Sequence, residues 1–174
     1  MDNRKKVIII IIIVLIVFGA IFSFSLLKSK KVPFLNLFSQ IQYKVPSKFE
    51  KDEDYNYSRY YHYRENDVSC SLNLNVYEKE YYDDFEEWFK DRIRFNLNDE
   101  IGKLEEIDLN HSKALYIDKK SRGSFDYYYG IESADYYYLI TYNIYDYKHG
   151  DRSDIDSNLC YTYKDKIVES ISVK

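Results

Sequence analysis

Hydrophobic residues fall into one long unbroken run near the N-terminus and several shorter periodic segments after it. The run, Val7 to Leu27, contains no charged residue. As a helix rising about 1.5 Å per residue it would span about 31 Å, which matches the ~30 Å hydrocarbon core of a bilayer. The pattern predicts a transmembrane helix at residues 7–27, a cytoplasmic N-terminal tail at residues 1–6 and a juxtamembrane connector at residues 28–40.

Other interpretations of Val7–Leu27 remain open. Ser23-Phe24-Ser25 offers the small residues that a signal peptidase requires, and cleavage there would give a secreted protein, although the run exceeds the usual length of roughly 7–15 residues. A buried core helix is disfavoured because the segment has no polar side. Three cations flank each end, so charge hardly decides the orientation. A short tail before a long C-terminal domain favours a single-pass protein of the cell membrane with its domain outside.

Alternation of apolar and polar residues predicts strands in the rest of the chain. The clearest is Val68 to Tyr77, in which Val, Cys and Leu alternate with Ser and Asn. Tyr136 to Tyr145 is apolar or aromatic on both faces, which is typical of a central strand covered on both sides. Further strands are predicted at Tyr43–Pro46, Tyr57–Arg64, Leu104–Leu109, Lys113–Asp118, Phe125–Ile131 and, briefly, Ile171–Val173.

Two amphipathic segments predict helices. Asp83 or Asp84 can cap the first, whose apolar stripe comprises Phe85, Trp88, Phe89, Arg92 and Ile93. The second lies near Ser153–Glu169 and has Ile155, Leu159, Cys160, Tyr163 and Ile167 on one side. The element order and the short turns predict an α+β domain over residues 41–174, with a mostly antiparallel sheet of about six to seven strands packed with two helices.

This arrangement resembles a known family. The opening Tyr43–Phe49 segment (YKVPSKF), the hairpin after it, the helix that bears Trp88 and the closing helix with Ser170-Ile171 are similar to the Mog1/PsbP-type α/β/α sandwich. Many small membrane-anchored bacterial proteins and lipoproteins resemble that family too. The resemblance covers about residues 41–174 and implies a binding or accessory role, because fold alone does not carry a reaction.

Charge is distributed unevenly along the 174 residues. The formal net charge is −4, and the first 31 residues hold six Lys or Arg against one Asp, so the remainder carries −9. An acidic domain repels phosphate, and we therefore expect no nucleic-acid partner and no binding to anionic headgroups. The lysines at positions 28, 30 and 31 are better interpreted as anchors at the membrane edge.

Tyrosine is unusually frequent, with 21 residues against a single Trp. Tyrosine suits the pleated, half-buried surface of a sheet, and an AT-rich genome would raise Ile, Lys, Asn and Tyr together. An aromatic binding face is the functional alternative, because a tyrosine ring is apolar while its hydroxyl is polar.

The two cysteines, Cys70 and Cys160, both fall on inward-facing positions of their predicted elements. In an exported domain they would form one disulfide, whereas two isolated buried thiols are the equal alternative. A disulfide would close a loop of about 90 residues and stabilise the fold by about 3–5 kcal/mol.

The sequence contains few candidates for catalytic or metal-binding residues. His62, His111 and His149 have no second histidine at the spacing of a helical metal site, and surface or hydrogen-bonded histidine is their ordinary role. The acidic residues between Asp151 and Asp156 do not match a calcium loop and suit a helix cap. Phosphate loops, nucleophile elbows and Cys-x-x-Cys pairs are absent from the sequence. The sequence predicts no catalytic residue, no cofactor and no metal site.

What remains is a surface. If the predicted strands form one sheet, any uncovered part would present tyrosine rings among acidic residues, with Tyr60, His62, Tyr128 and Tyr137 as candidates. Such a surface suits a basic protein, a peptide or a glycan, and we expect a protein or peptide partner. The leading hypothesis is a membrane-anchored, extracytoplasmic, non-enzymatic binding domain, either an immunity-type protein or a sensor or accessory subunit. The alternatives are an envelope enzyme that uses carboxylates or His62, and a structural membrane spacer.

Overall fold

A computed structural model describes residues 37–52, 54–82, 84–93, 95–96, 99–110, 112–121, 123–146 and 159–173. Within these ranges, no helix is long and apolar enough to cross a membrane. The predicted anchor at Val7–Leu27, the candidates His111 and His149 and the acidic stretch Asp151–Asp156 lie outside the described residues.

The described residues form an antiparallel sheet with short connections. An eight-stranded sheet has the order β2-β3-β4-β9-β8-β7-β5, with β6 also paired to β7, and a separate two-stranded sheet joins β1 to β10. The strands are β1 Ile41–Gln42, β2 Glu50–Lys51, β3 Ser58–Glu65, β4 Val68–Glu78, β5 Glu100–Ile101, β6 Glu105–Leu109, β7 Ser112–Ser121, β8 Ser124–Glu132, β9 Tyr136–Asp146 and β10 Ser172–Val173.

In the described part of the chain, one α-helix packs on each face of the sheet. Helix α1 (Phe85–Arg92) begins at the predicted cap, where Asp84 Oδ1 accepts a hydrogen bond from the backbone N–H of Glu87 at 2.7 Å. Its buried Trp88 and Phe89 form a cluster with side chains of β7, β8 and β9. Helix α2 (Leu159–Ser170) buries Cys160, Tyr163 and Ile167 in the larger core cluster on the opposite face. The α+β sandwich predicted from the sequence is confirmed.

Strand β9 is central, as its two-sided apolar pattern predicts. It pairs with β4 along its whole length, from Val68 opposite Asp146 to Glu78 opposite Tyr136, and with β8 on its other side. Tyr138, Ile140, Tyr142 and Ile144 point into the core under α2, while Tyr137 and Leu139 pack under α1. Residues 137–140 are buried on both faces, which explains their continuous apolar pattern, whereas Thr141, Asn143 and Tyr145 on the α1 side are only partly buried or exposed.

Three details differ from the sequence prediction. The first strand is Ile41–Gln42 rather than Tyr43–Pro46, because Ile41 pairs with Val173 while the N–H of Lys44 donates instead to Ser170 Oγ at 2.8 Å. The main sheet has eight strands among the described residues rather than six to seven, since the two-residue strands β2 and β5 extend its edges. Leu37 and Phe38, assigned to the connector, are buried in the domain core.

Candidate functional site

Helix α1 covers only part of the sheet face on which it lies. Its cluster takes in Ile117, Tyr128, Tyr137 and Leu139, which share one end of that face. The other end is formed by outward positions of β3, β4 and β9, and no hydrophobic cluster of the described residues covers it. We call this region the open face, comprising Ser58, Tyr60, His62, Ser71, Asn73, Asn75, Thr141, Asn143 and Tyr145. Ser71 is buried at its centre, and the other members are partly or fully exposed.

Strand register places these side chains in rows across the sheet. Tyr60 lies opposite Asn73, which lies opposite Thr141 on the next strand. One row along, His62 lies opposite Ser71, which pairs with Asn143. Directly paired residues of antiparallel strands share a face with Cβ atoms about 4.5–5.5 Å apart, so each row is continuous.

The floor of the open face is polar and uncharged. Ser58 Oγ donates to Asn73 Oδ1 at 2.8 Å, and Ser71 Oγ lies 3.4 Å from Asn143 Oδ1. Hydroxyl and amide groups both donate and accept hydrogen bonds. The floor can therefore match the backbone or polar side chains of another chain without the desolvation cost of burying a charge.

Rings and carboxylates form the rim along β2 and β3. The rings of Tyr60 and His62 stack with centroids 6.1 Å apart. His62 Nε2 lies 3.4 Å from Glu50 Oε2, and its Nδ1 lies 3.5 Å from Asp52 Oδ1. All four groups are at least partly accessible to solvent, so this rim offers aromatic surface and negative charge together.

The opposite rim is held by a buried ion pair. Lys119 Nζ lies 2.9 Å from Asp126 Oδ2, and Asn143 donates to Asp126 Oδ1 at 2.7 Å. Burial opposes the charged form of Lys119, but its hydrogen bond and ion pair with Asp126 outweigh burial and raise its pKa. These contacts fix the side chain of Asn143 and thus one end of the open face.

A second carboxylate, Asp99, completes that network. Hydrogen bonds from the Ser121 hydroxyl at 2.6 Å and the backbone N–H of Asn96 at 2.7 Å lower the pKa of Asp99, with a further contribution from Lys119. At neutral pH Asp99 therefore stays ionised and Lys119 stays protonated. We therefore assign the network a structural role.

The structure separates the four candidate residues predicted from the sequence. Tyr60 and His62 lie together on the open face. Tyr128 and Tyr137 are only 9% and 5% exposed, because α1 covers them; the centroid of the Tyr137 ring lies 4.8 Å from that of Trp88. Their expected exposure is therefore wrong, and they belong to the core under α1.

Several open-face residues were missed at the level of sequence, although a signal for them exists. Asn73 and Asn75 are the polar half of the alternation that identified β4, and Thr141 and Asn143 are the polar residues in the otherwise apolar β9. Alternation predicts that such residues point away from the core. It does not say which part of the outward face a helix will cover.

The two cysteines are joined. Cys70 on β4 and Cys160 on α2 form a disulfide with their Cα atoms 5.9 Å apart and 90 residues between them in sequence. Both are almost fully buried in the core cluster under α2. The disulfide thus ties α2 to the sheet on the face opposite the open face. In the part of the chain that the structure describes, no group of three or more His, Cys, Asp or Glu could hold a metal ion.

The fold is similar to a known one. The crystal structure of the Ran-binding protein Mog1p of Saccharomyces cerevisiae matches with a TM-score of 0.53 and 12% sequence identity over 77% of this chain and 90% of that chain. A structure from Bacteroides thetaiotaomicron matches with a TM-score of 0.49 and 10% identity over 78% of this chain and 46% of that one. The sequence matches no family model and no curated protein. The predicted Mog1/PsbP-like fold is confirmed, and the likeness establishes the fold alone.

Proposed function

We propose that this chain is a membrane-tethered, non-enzymatic binding domain whose open face engages a protein partner outside the cytoplasm. The observation that carries the proposal is the half-covered sheet face. Helix α1 buries one end of it, while Asn73, Thr141 and Asn143 stay partly accessible beside the stacked Tyr60 and His62.

Three features support a protein as the partner. The face is a continuous piece of sheet about three strands wide, rather than a deep enclosed pocket, and small ligands prefer enclosed pockets. Its aromatic and polar mixture is typical of protein interfaces. Mog1p, which shares the fold, is described as a Ran-binding protein.

The proposed membrane anchor and the location outside the cytoplasm are supported by the sequence and by the disulfide. Val7–Leu27 is long and apolar enough to span a bilayer, and a buried disulfide is stable mainly in oxidising compartments. Both features favour a domain outside the cytoplasm. An immunity-type protein that intercepts a toxin and a sensor or accessory subunit of an envelope complex are the two finer forms of this proposal.

Site-specific photo-cross-linking tests the binding face. A photoreactive amino acid is introduced at Asn73, Thr141 or Tyr145 of the full chain and irradiated in cells that express it natively. The matched control carries the same residue at Lys166, an exposed position on α2. We expect one discrete protein adduct from the open-face positions and none from position 166. Adducts of equal yield at all positions, or none at the open face, would overturn the proposal.

Fractionation tests the tether separately. The full chain should stay in the membrane pellet after alkaline carbonate washing. A protease added to intact spheroplasts, from which the cell wall has been removed, should degrade the domain. Recovery of the intact chain in the soluble fraction would contradict the anchor. Complete protection from the protease would contradict the external location.

A further inference from the structure

A cleft with a volume of about 460 Å³ lies where the open face meets the loop between β2 and β3. Its floor contains Ser58 and Asn75, which belong to the open face, and Tyr77, which packs against Trp88 of α1. The remaining lining residues are Asp54, Tyr55, Asn56, Tyr57 and Val76.

Two tyrosine rings stand at the mouth of this cleft. Tyr55 is 69% exposed and Tyr57 is 49% exposed, among the largest exposures of any hydrophobic side chain in the described residues. Their backbone is nevertheless fixed. Tyr55 and Ser58 exchange two backbone hydrogen bonds of 3.1 Å, and the carbonyl of Tyr57 accepts from the N–H of Val76 at 2.9 Å. The loop therefore presents both rings from a hydrogen-bonded turn.

Negative charge lies beside the rings. Glu50, Asp52 and Asp54 follow one another at alternate positions along β2 and the start of the loop. Lys51 pairs with Asp54 at 2.8 Å, but both side chains are 46% exposed, and Arg59 also interacts electrostatically with Asp54. An exposed ion pair of this kind contributes little, so another cation can replace Lys51 at the Asp54 carboxylate.

Aromatic faces and a carboxylate together recognise cations. A guanidinium or ammonium group within about 6 Å of a ring centroid is attracted by the negative face of the ring. The chain already uses this contact next to the cleft, where the Arg92 guanidinium lies 5.1 Å from the centroid of Tyr77 and 5.0 Å from that of Tyr82. Arg92 is not one of the residues that line the cleft.

We infer that this tyrosine cleft accepts an arginine or lysine side chain of a basic partner segment that lies across the open face. Tyr55 and Tyr57 supply the ring faces, Asp54 supplies the charge, and the polar floor binds the flanking backbone. The inference rests on the proposed function and adds to it the chemical class of the partner. Because the domain carries −9 overall, it also attracts a basic partner at long range.

Peptide binding by the full chain tests the inference. The chain is reconstituted in nanodiscs of phosphatidylcholine, which has no net charge, and titrated into fluorescein-labelled hexa-arginine amide. Hexa-citrulline, which matches the shape of hexa-arginine without its charge, is the control peptide. We expect saturable binding of hexa-arginine, at least tenfold weaker binding of hexa-citrulline, and weakening by added salt.

Matched variants separate the cleft from general charge attraction. Replacing Tyr55 and Tyr57 together by Ala should weaken binding at least fivefold, and Asp54→Asn about threefold. Tyr81→Ala, at another exposed tyrosine, and Asp91→Asn, at an exposed acid of α1, should leave binding unchanged. A double Tyr→Phe variant at 55 and 57 keeps the rings and should bind normally, which assigns the contact to the ring faces rather than the hydroxyls. An unchanged Tm of the double Ala variant excludes misfolding as the cause of its loss.

Several outcomes would overturn the inference. The first is an absence of saturable hexa-arginine binding. The second is an equal loss of affinity in Asp54→Asn and Asp91→Asn, and the third is full affinity in the double Ala variant at 55 and 57. If any of these occurs while the open-face positions still cross-link to a partner in cells, the cationic ligand is wrong and the binding face stands. If the open-face positions form no adduct, the proposed function itself fails.

Discussion

The ring of Phe89 on α1 packs directly against the backbone of Gly130 on β8. A Cβ atom added at residue 130 would lie 2.6 Å from Phe89 Cδ2. Phe89 is fully buried, so the ring has little room to retreat. The absence of a side chain at Gly130 therefore lets α1 approach the sheet closely at this point.

We expect Gly130→Ala to destabilise the domain by about 1–3 kcal/mol, the usual cost of overpacking a core. Removing a strand glycine would otherwise be slightly favourable, because it lowers the entropy of the unfolded chain. Urea unfolding of the two proteins measures the difference. Combining Gly130→Ala with Phe89→Leu should cost less than the sum of the single changes. Additive costs would show that the ring and the glycine do not limit each other.

Loss of the Cys70–Cys160 disulfide should lower the free energy of unfolding by about 3–5 kcal/mol, because it frees a loop of about 90 residues in the unfolded chain. The change would lower Tm by roughly 10 °C or more for a domain of this size. Thermal melts of the Cys70→Ala/Cys160→Ala variant measure it. A reductant should lower the Tm of the parent protein and leave the variant unchanged. An equal response of both proteins would contradict the prediction.

The ion pair between Lys119 and Asp126 should contribute more to the free energy of unfolding than neighbouring surface ion pairs do. Lys119→Met leaves the Asp126 carboxylate, only 9% exposed, without its cation, and we expect a loss of about 3–5 kcal/mol. Lys120→Met is the matched control, since Lys120 is 31% exposed and lies 3.9 Å from Glu100; it should cost less than about 1 kcal/mol. Denaturant titrations compare them, and equal losses would refute the structural role of the network.

Buried tyrosines should set the alkaline limit of stability. Burial raises the pKa of Tyr138 to about 12 and that of Tyr142 well above its usual range, whereas an unfolded tyrosine has a pKa of about 10. The folded state therefore holds these protons more tightly. Its stability is complete below about pH 10 and falls as the pH rises towards 12. Urea unfolding between pH 8 and 11.5, followed with tyrosinate absorbance, should show this slope.

Tyr138→Phe provides the control for that slope. The Tyr138 hydroxyl donates to the carbonyl of Leu37 at 2.9 Å, and its loss should cost about 0.5–1.5 kcal/mol at pH 8. The alkaline loss of stability should nevertheless be shallower than in the parent protein, because one fewer buried group ionises. A slope identical to that of the parent would contradict the assignment of Tyr138.

Much of the fold could be predicted from local pattern. Strict alternation identified β4 from Val68 onward, and the pair Asp83-Asp84 marked the start of α1, where Asp84 is the observed cap. Both signals are local, because a strand repeats every two residues and a cap joins residues three apart. The predicted position of β1 was wrong by two residues at its start, because the position depends on pairing with β10 near the other end of the chain.

Local pattern could not predict which residues form the open face. Tyr60 and Tyr137 have similar sequence surroundings, with tyrosines beside them and turns nearby. One lies on the open face, whereas the other is buried against Trp88. The difference comes from the position at which α1 packs on the sheet. That position depends on contacts between residues distant in sequence.

The amino-acid sequence alone determined the apolar N-terminal run, the acidic charge of the remainder, the strand and helix periodicity and the inward positions of Cys70 and Cys160. Only the tertiary structure decided that these cysteines are joined, that Tyr128 and Tyr137 are covered, and that most polar residues on the same face of β3, β4 and β9 stay partly accessible. The physical reason is that periodicity fixes the direction of a side chain relative to its own element. Whether another element covers it depends on packing between residues distant in sequence, such as Phe89 of α1 against Gly130 of β8.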